Sequence, residues 1–392
     1  MDSIVMKNRV LKLDKSSWVL TKLGDLARDI SKRVDNPGES EYDRFVGLRN
    51  FVTGDIKIKS WETTENLASS AKAFQAGDIL FARRNAYLRR ASLVEFDGCC
   101  SGDAFVLREN HDKIIPGFLA FLMNSNALWD YANSNAAGTM SKRVKWRDLA
   151  EYEFLIPPKY QQAQLVKLLW SMDDVIERGK ELIEKLKLFQ KVKNKLLFNG
   201  IRSKFEFKKF GDVCDIERGG SPRPIDDYIT DDEDGLNWIK IGDVDIESKY
   251  ITKTKQKIKP SGLNKTRSVH CGDLILSNSM SFGRPYILKI DGCIHDGWLV
   301  IRDKQNVFDK DFLYYYLSSD EVFSQFEKFA AGGVVSNLNK EIVKKLKIYL
   351  PPMNIQIQIK EKLSFLDENN KLLMSKILSS QSLQKSLINQ IF

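Results

Sequence analysis

Between Gln161 and Phe198 apolar residues return in a four-three rhythm: Leu165, Leu169, Met172, Ile176, Gly179, Ile183, Leu186, then Gln190, Lys193 and Leu197. The spacing keeps one stripe on one side of an α-helix, which over these residues would be roughly 57 Å long at 1.5 Å per residue. Near the C-terminus the rhythm returns with Ile359, Leu363, Leu366, Asn370, Leu373, Ile377, Ser380, Gln384, Leu387 and Ile391, each 194 positions after its counterpart. Two helices in one heptad register predict a coiled coil. If they run antiparallel with Leu165 opposite Ile391, large residues meet small ones: Gly179 faces Ile377, Ile176 faces Ser380 and Leu186 faces Asn370. Gln190 and Gln384 are polar positions in this seam, where such residues set register at a cost in stability.

The offset extends well beyond the helices. Pro157, Gln162 and Gln164 match Pro351, Gln356 and Gln358; Asp97-Gly98-Cys99 matches Asp291-Gly292-Cys293; "FVLR" from Phe105 matches "LVIR" from Leu299. Further back it drifts, to 195 for Gly77-Asp78 with Gly272-Asp273 and to 187 for Gly24-Asp25 with Gly211-Asp212, as expected where loop lengths vary. The chain is therefore an internal repeat. Ahead of each helix lie short strand-like runs such as "GDILFARR", "ASLVEF", "LNWIKIG", "GDLILSNS" and "WLVIRD", with helical stretches at "GFLAFLMNSNALWDYAN" and "DFLYYYLSSDEVFSQFEKF". The fold class is α+β: globules at 1–155 and 201–349, and long helices at 156–200 and 350–392. Each helix starts after a Pro-Pro pair, which no preceding helix can run through.

With 392 residues, 43% of them hydrophobic, the chain supports more than one core. It lacks an apolar run long enough to cross a membrane, its first residues alternate charge with apolar positions, and we read it as cytoplasmic. The five cysteines, Cys99, Cys100, Cys214, Cys271 and Cys293, form no CxxC pair and the three histidines are scattered, so buried free thiols are expected and no metal site. The net charge of +9 suggests a polyanionic partner.

Catalytic constellations are missing. The prolines follow Ile156 and Leu350 and precede Lys159 and Met353, with no Asn or Asp to accept from an amine as in amino-methyltransferases. No Gly-rich turn suggests a cofactor in this chain. Asp226 or Asp227 with Glu247-Ser248-Lys249 resembles nuclease spacing only as closely as chance allows in a chain 29% charged. Binding is expected rather than reaction.

Candidate DNA contacts lie in cationic clusters. "FARRNAYLRR" supplies Arg83, Arg84, Asn85, Tyr87, Arg89 and Arg90, and Arg and Asn are the major-groove readers of guanine and adenine. "MSKRVKWRD" adds Lys142, Arg143 and Lys145 for phosphates. In the second copy the first cluster's place is taken by Asn278, Ser279, Ser281 and Arg284, so one frame carries different side chains. Arg218, Ser221 and Arg223 of "ERGGSPRP" form a further loop candidate, and Lys253, Lys255, Lys257 and Lys259 alternate as one basic face of a strand would.

The "LIPPKYQQAQL" and "YLPPMNIQIQI" segments closing each globule, "GDVCDIERGGSPR" with "GDLILSNS", and the paired helices resemble the specificity subunits of type I restriction-modification enzymes. The resemblance covers essentially the whole chain. It implies two target-recognition domains, each reading half of a bipartite double-stranded DNA site. It also implies two modification subunits that carry S-adenosylmethionine, methylate adenine and hold the helices, with restriction subunits joining them. The first globule departs most, since "DLARDISKRVDNPGESEYDRFVGL" lacks the Gly-Gly-Ser-Pro loop. Two other readings share parts of this pattern: a non-catalytic coiled-coil scaffold, and the specificity module of another restriction type.

Overall fold

The run Ile79-Leu80-Phe81-Ala82 has no polar residue between Asp78 and Arg83, and it forms a strand whose four residues are all buried. Buried on both faces, such a strand belongs in the middle of a sheet. The computed structural model describes residues 13–30, 32–245, 248–278, 283–331 and 338–392; the chain forms two units, Met1–Leu182 with Leu373–Phe392, and Ile183–Leu372.

In the first unit Ile79–Ala82 lies between Ala104–Glu109 and Ala91–Leu93, with Ala27–Asp29 on the outer edge of Ala104–Glu109. A second sheet orders Arg33–Val34, Ala71–Phe74, Gly98–Cys100, Arg44–Val46 and Glu62–Thr63, and Val19–Lys22 pairs with Glu153–Ile156. The helical stretch after Gly117 breaks into Phe118–Leu122 and Asn126–Ser134, because Ser125 caps the second helix, its Oγ accepting from the Leu128 amide. Trp129 of that helix stacks on Phe81 at 4.4 Å, joining helix to sheet.

The second unit repeats the plan. Trp298–Asp303 lies between Cys214–Arg218 and Leu274–Ser277, followed by Pro285–Leu288 and Tyr250–Ile251. Gly292–Ile294 pairs in parallel with Leu236–Ile239, as Gly98–Cys100 does with Arg44–Val46 in the first unit. Phe207–Lys209 pairs with Lys347–Tyr349. Here too the helical stretch is split, into Lys310–Leu317 and Asp320–Ala331.

The repeated glutamines explain the repeated prolines. Gln162 is 2% exposed; its Oε1 accepts from the Ile115 amide and its Nε2 donates to the Pro157 carbonyl. Gln356, 1% exposed, accepts from the Asp309 amide and donates to the carbonyls of Pro351 and Val307. In both copies one buried amide ties the start of the long helix to the loop leading into the globule's helices, answering a buried proline carbonyl and part-buried backbone groups of that loop.

The first long helix runs Lys159–Lys204 and the second Met353–Ile391. The first continues past the Phe198 end expected from the sequence, through Gly200, because Phe198 and Ile201 are buried in the second unit's core. Leu165, Leu169, Ile176, Ile183, Ile359, Leu363, Ile377, Gln384 and Leu387 are buried, and Met172, Leu186, Gln190, Leu366 and Leu373 are half-buried. Within the first unit the helical segments run antiparallel: Gly179 lies against Ile377, while the Gln384 amide reaches the Leu169 carbonyl and Asp173. Within the second, Gln190 donates to Asp367 at 2.5 Å and accepts from Asn370 at 2.7 Å.

Cys99, Cys100, Cys214 and Cys293 are buried, and burial pushes the Cys100 and Cys214 thiols up to about 12. Cys271 is exposed, contrary to the sequence expectation: it sits in a turn held by its backbone amide, which donates to Asp291. Among the described residues no helix is long and apolar enough to cross a membrane.

Candidate nucleic-acid interface

In the first unit two clusters that lie far apart in sequence come together. Arg84 and Arg143 form a β-bridge, the Asn85 amide donates to the Lys142 carbonyl, and the Val144 amide donates to the Arg83 carbonyl. Between them lies Asp103. Arg143 donates to its carboxylate through Nε at 2.8 Å and Nη2 at 3.3 Å, and Arg84 Nη1 is 3.5 Å away. The Arg143 hydrogen bonds hold the Asp103 carboxyl below its ordinary range, with help from the charges of Arg84 and Arg83. Arg84 also donates to Ser141, and the Arg83 guanidinium lies 5.3 Å from the centre of the Phe105 ring.

Asn85 and Arg89 both have left-handed backbone, with φ of 55° and 50°, and flank the turn Ala86–Leu88 that leaves Tyr87 68% exposed. Arg89 and Arg90 turn away from the cluster and anchor this loop: Arg89 donates to Asn126 and Asp130, and Arg90 to the Leu48 carbonyl. Partial burial lowers the Arg90 pKa. Lys142 and Lys145 are exposed.

The second unit gathers its candidates around Asp296. Ser221 Oγ donates to Oδ1 at 2.8 Å, while the Asp296 carbonyl accepts from Arg218 Nε at 2.9 Å and from Asn278 Nδ2 at 2.8 Å. The Gly297 amide donates to His295 Nδ1, so His295 Nε2 carries the proton and donates to Asp296 at 2.9 Å. Burial lowers the His295 pKa against the pull of the neighbouring Asp296. Partial burial raises Asp296, but Ser221 and the nearby His295 and Arg218 outweigh it and hold the carboxyl below its ordinary range. Gly219 and Gly220 are required by contact, since a Cβ on either would come within 2.2 or 2.5 Å of the His295 or Lys265 carbonyl.

Arg223 is exposed and Arg284 lies 5.7 Å from the Tyr286 ring centre. Ser279, Ser281, Glu247 and Gly332 lie outside the described residues. Lys249, which the nuclease-like spacing would need, is buried against Asp311 and the rings of Tyr314 and Tyr315.

The basic strand expected at 253–259 does not form. Only Lys257–Ile258 pairs as strand; Lys255, Lys257 and Lys259 reach the carbonyls of Gly242, Asp232 and Asp227, and Lys253 is exposed. Loop carbonyls take three of the four ammonium groups, which do not line the face of one strand.

The two tips share two backbone hydrogen bonds at matching positions. Arg83 donates its amide to the Asp103 carbonyl and accepts from Val144; Asn278 donates to the Gly297 carbonyl and accepts from Leu338. Asp103, Asp296 and His295 stand outside the cationic clusters legible in the sequence, although the first two lie just before the matched "FVLR" and "LVIR" strands.

Two copies of one α+β globule, each carrying a polar and cationic loop cluster, together with two long helices, define a duplicated module with one candidate reading tip per copy. The sequence model described as the type I restriction modification DNA specificity domain matches residues 15–188 and again 202–380, and the chain belongs to that family. It is similar to the Methanocaldococcus jannaschii protein named type I restriction enzyme MjaVIII specificity subunit, 24% identical over 319 residues, 70% of this chain and 72% of that one. The Escherichia coli EcoDI specificity subunit is 23% identical over 177 residues, 44% of this chain and 39% of its own. Among solved structures, a chain from a type I restriction-modification system covers 96% of this chain and 97% of that one, with TM-score 0.63 and 21% identity. The S subunit of a type I restriction-modification system from M. genitalium covers 97% of this chain and 98% of its own, with TM-score 0.61 and 14% identity.

Proposed function

We propose that this chain is the DNA-reading, non-catalytic specificity subunit of a type I restriction-modification complex. Each globule reads one half of a bipartite duplex site, and adenine-N6 methylation and restriction are carried out by partner subunits, the methyltransferases supplying S-adenosylmethionine. One observation carries the reading: the same backbone frame holds the cationic Arg83 in one copy and Asn278, 3% exposed, in the other, so the loops around the two positions display different side chains. A scaffold duplicated for bulk has no reason to keep a frame and change what it displays, whereas base readers must differ to read different sequences.

Exposed apolar residues on the helices suit docking of the modification subunits. In the first unit Leu168, Val175 and Leu182 recur every seven residues at 44%, 63% and 47% exposure; in the second, Leu188, Phe189, Val192 and Leu196 are exposed on the same helix. Patches of this kind mark interaction surfaces.

The test is to purify the chain alone and with methyltransferase subunits encoded beside it, then measure duplex binding against salt and map methyl groups. The expected result is weak, salt-dependent binding alone, with log K falling by about 0.9 per neutralised phosphate for each tenfold rise in salt, and adenine methylation in one split motif for the complex. A chain that methylates unaided, or shows no salt-dependent shift on DNA, overturns the proposal.

A further inference from the structure

We propose that Asp103 and Asp296 are positioning residues for half-site reading: each carboxylate fixes the side chains that meet DNA without itself meeting a base. The inference rests on the function proposed above and names the groups that make the reading selective.

A carboxylate in the middle of a surface meant for a polyanion is unfavourable unless it does something else, because it repels the phosphates that the cations attract. Asp103 sits between Arg84 and Arg143, which come from loops brought together only by tertiary structure. Its forked contact with Arg143 holds a planar guanidinium in one orientation, which is what bidentate recognition needs and what a free, exposed arginine lacks. In the same stroke the Asp103 carbonyl takes the Arg83 amide, so one residue registers three arginines.

Asp296 performs the corresponding task on different chemistry. Its carboxylate receives Ser221 and the adjacent His295 and lies 4.0 Å from Arg218 Nη2, and its carbonyl takes Arg218 Nε and the buried Asn278, so it joins the 218–221 loop to Asn278. The alignment of the two frames puts Gly297 opposite Asp103, so the aspartates occupy neighbouring rather than identical positions of the same turn. Each copy thus has its own carboxylate at the root of its reading tip. His295 is spent on both nitrogens within this network and is a strut rather than a reader.

The experiment uses the full chain with its methyltransferase partners and a duplex library in which each half of the methylated motif is randomised in turn. Asp103→Asn keeps the shape and removes the charge. It is expected to reduce base discrimination about tenfold in one half-site, to leave the other half-site as in wild type, and to leave binding to random duplex as tight or tighter, since a negative charge has gone. Asp296→Asn should do the same in the opposite half, and Ser221→Ala, which keeps the carboxylate and removes one of its partners, should relax that same half less. Asp103→Glu, which restores the charge, should recover part of the discrimination. Wild-type discrimination retained in both Asn variants overturns the inference, as does equal weakening at every sequence or in both halves. A wild-type complex with no bipartite preference overturns the function and the inference together.

Discussion

Gln356 contributes through geometry more than through any single bond. Replacing it by Ala takes this partner from the buried Pro351 carbonyl and from the part-buried Asp309 amide and Val307 carbonyl, and an orphaned buried group costs roughly 1–3 kcal/mol. Gln356→Ala is therefore expected to destabilise the protein by about 3 kcal/mol in chemical denaturation, whereas Gln358→Ala, two residues on and exposed, should stay within about 0.5 kcal/mol. Similar losses for both would show that the buried amide is not the tie. At the reading tips, Arg83→Ala should relax one half-site by roughly 1–3 kcal/mol. Lys145→Ala should instead weaken all sequences alike and reduce the salt slope by about one phosphate. Methylation mapping with salt titration separates the two, and a change in the other half-site for Arg83→Ala would sink its assignment.

Two helical glycines separate packing from backbone propensity. An added Cβ at Gly179 would lie 2.7 Å from Ile377 Cγ1 and 2.9 Å from its Cδ1, while at Gly200 nothing lies within 4 Å. Ala in a helix is worth roughly 0.5–1 kcal/mol over Gly, so Gly200→Ala should stabilise by that amount. Gly179→Ala meets overpacking of typically 1–3 kcal/mol, which exceeds the gain, and should destabilise. Adding Ile377→Ala should make the pair less damaging than the sum of the singles, a coupling measurable as a double-mutant cycle. Additive losses would show that these two positions do not press on each other. The element scale also shows why Gly200 did not stop its helix: Phe198 and Ile201 on either side of it are each 2% exposed, and their burial outweighs the glycine.

At the scale of the whole molecule the heptads make a prediction about distance. Seven residues inserted after Ile183 and after Ile377 keep the register and add roughly 10.5 Å to each helix, equivalent to about three base pairs at 3.4 Å each. Three base pairs also turn the second half-site by roughly 100°, so the DNA must twist or bend to reach both readers. The expected variant methylates a motif with a spacer two to four pairs longer, by this rough geometry, and binds it more weakly. An unchanged spacer would show that the helices do not set the distance.

The duplication, the α+β globules, the two long helices and the paired Pro-Pro and Gln positions were legible in the sequence, because each is written in local spacing or in repetition of that spacing. Heptads announce themselves within one helix, and a buried glutamine repeated at one offset betrays a role used twice. What tertiary structure alone decided is which loops meet. Nothing local connects Arg84 with Arg143, yet a β-bridge joins them across Asp103. Local alternation also misled at Lys253 to Lys259, where only Lys257–Ile258 is strand and carbonyls of other loops take three of the lysines. Periodicity records the face a segment must bury; the partners of an exposed polar group depend on distant segments that folding brings alongside, and that leaves no period in the sequence.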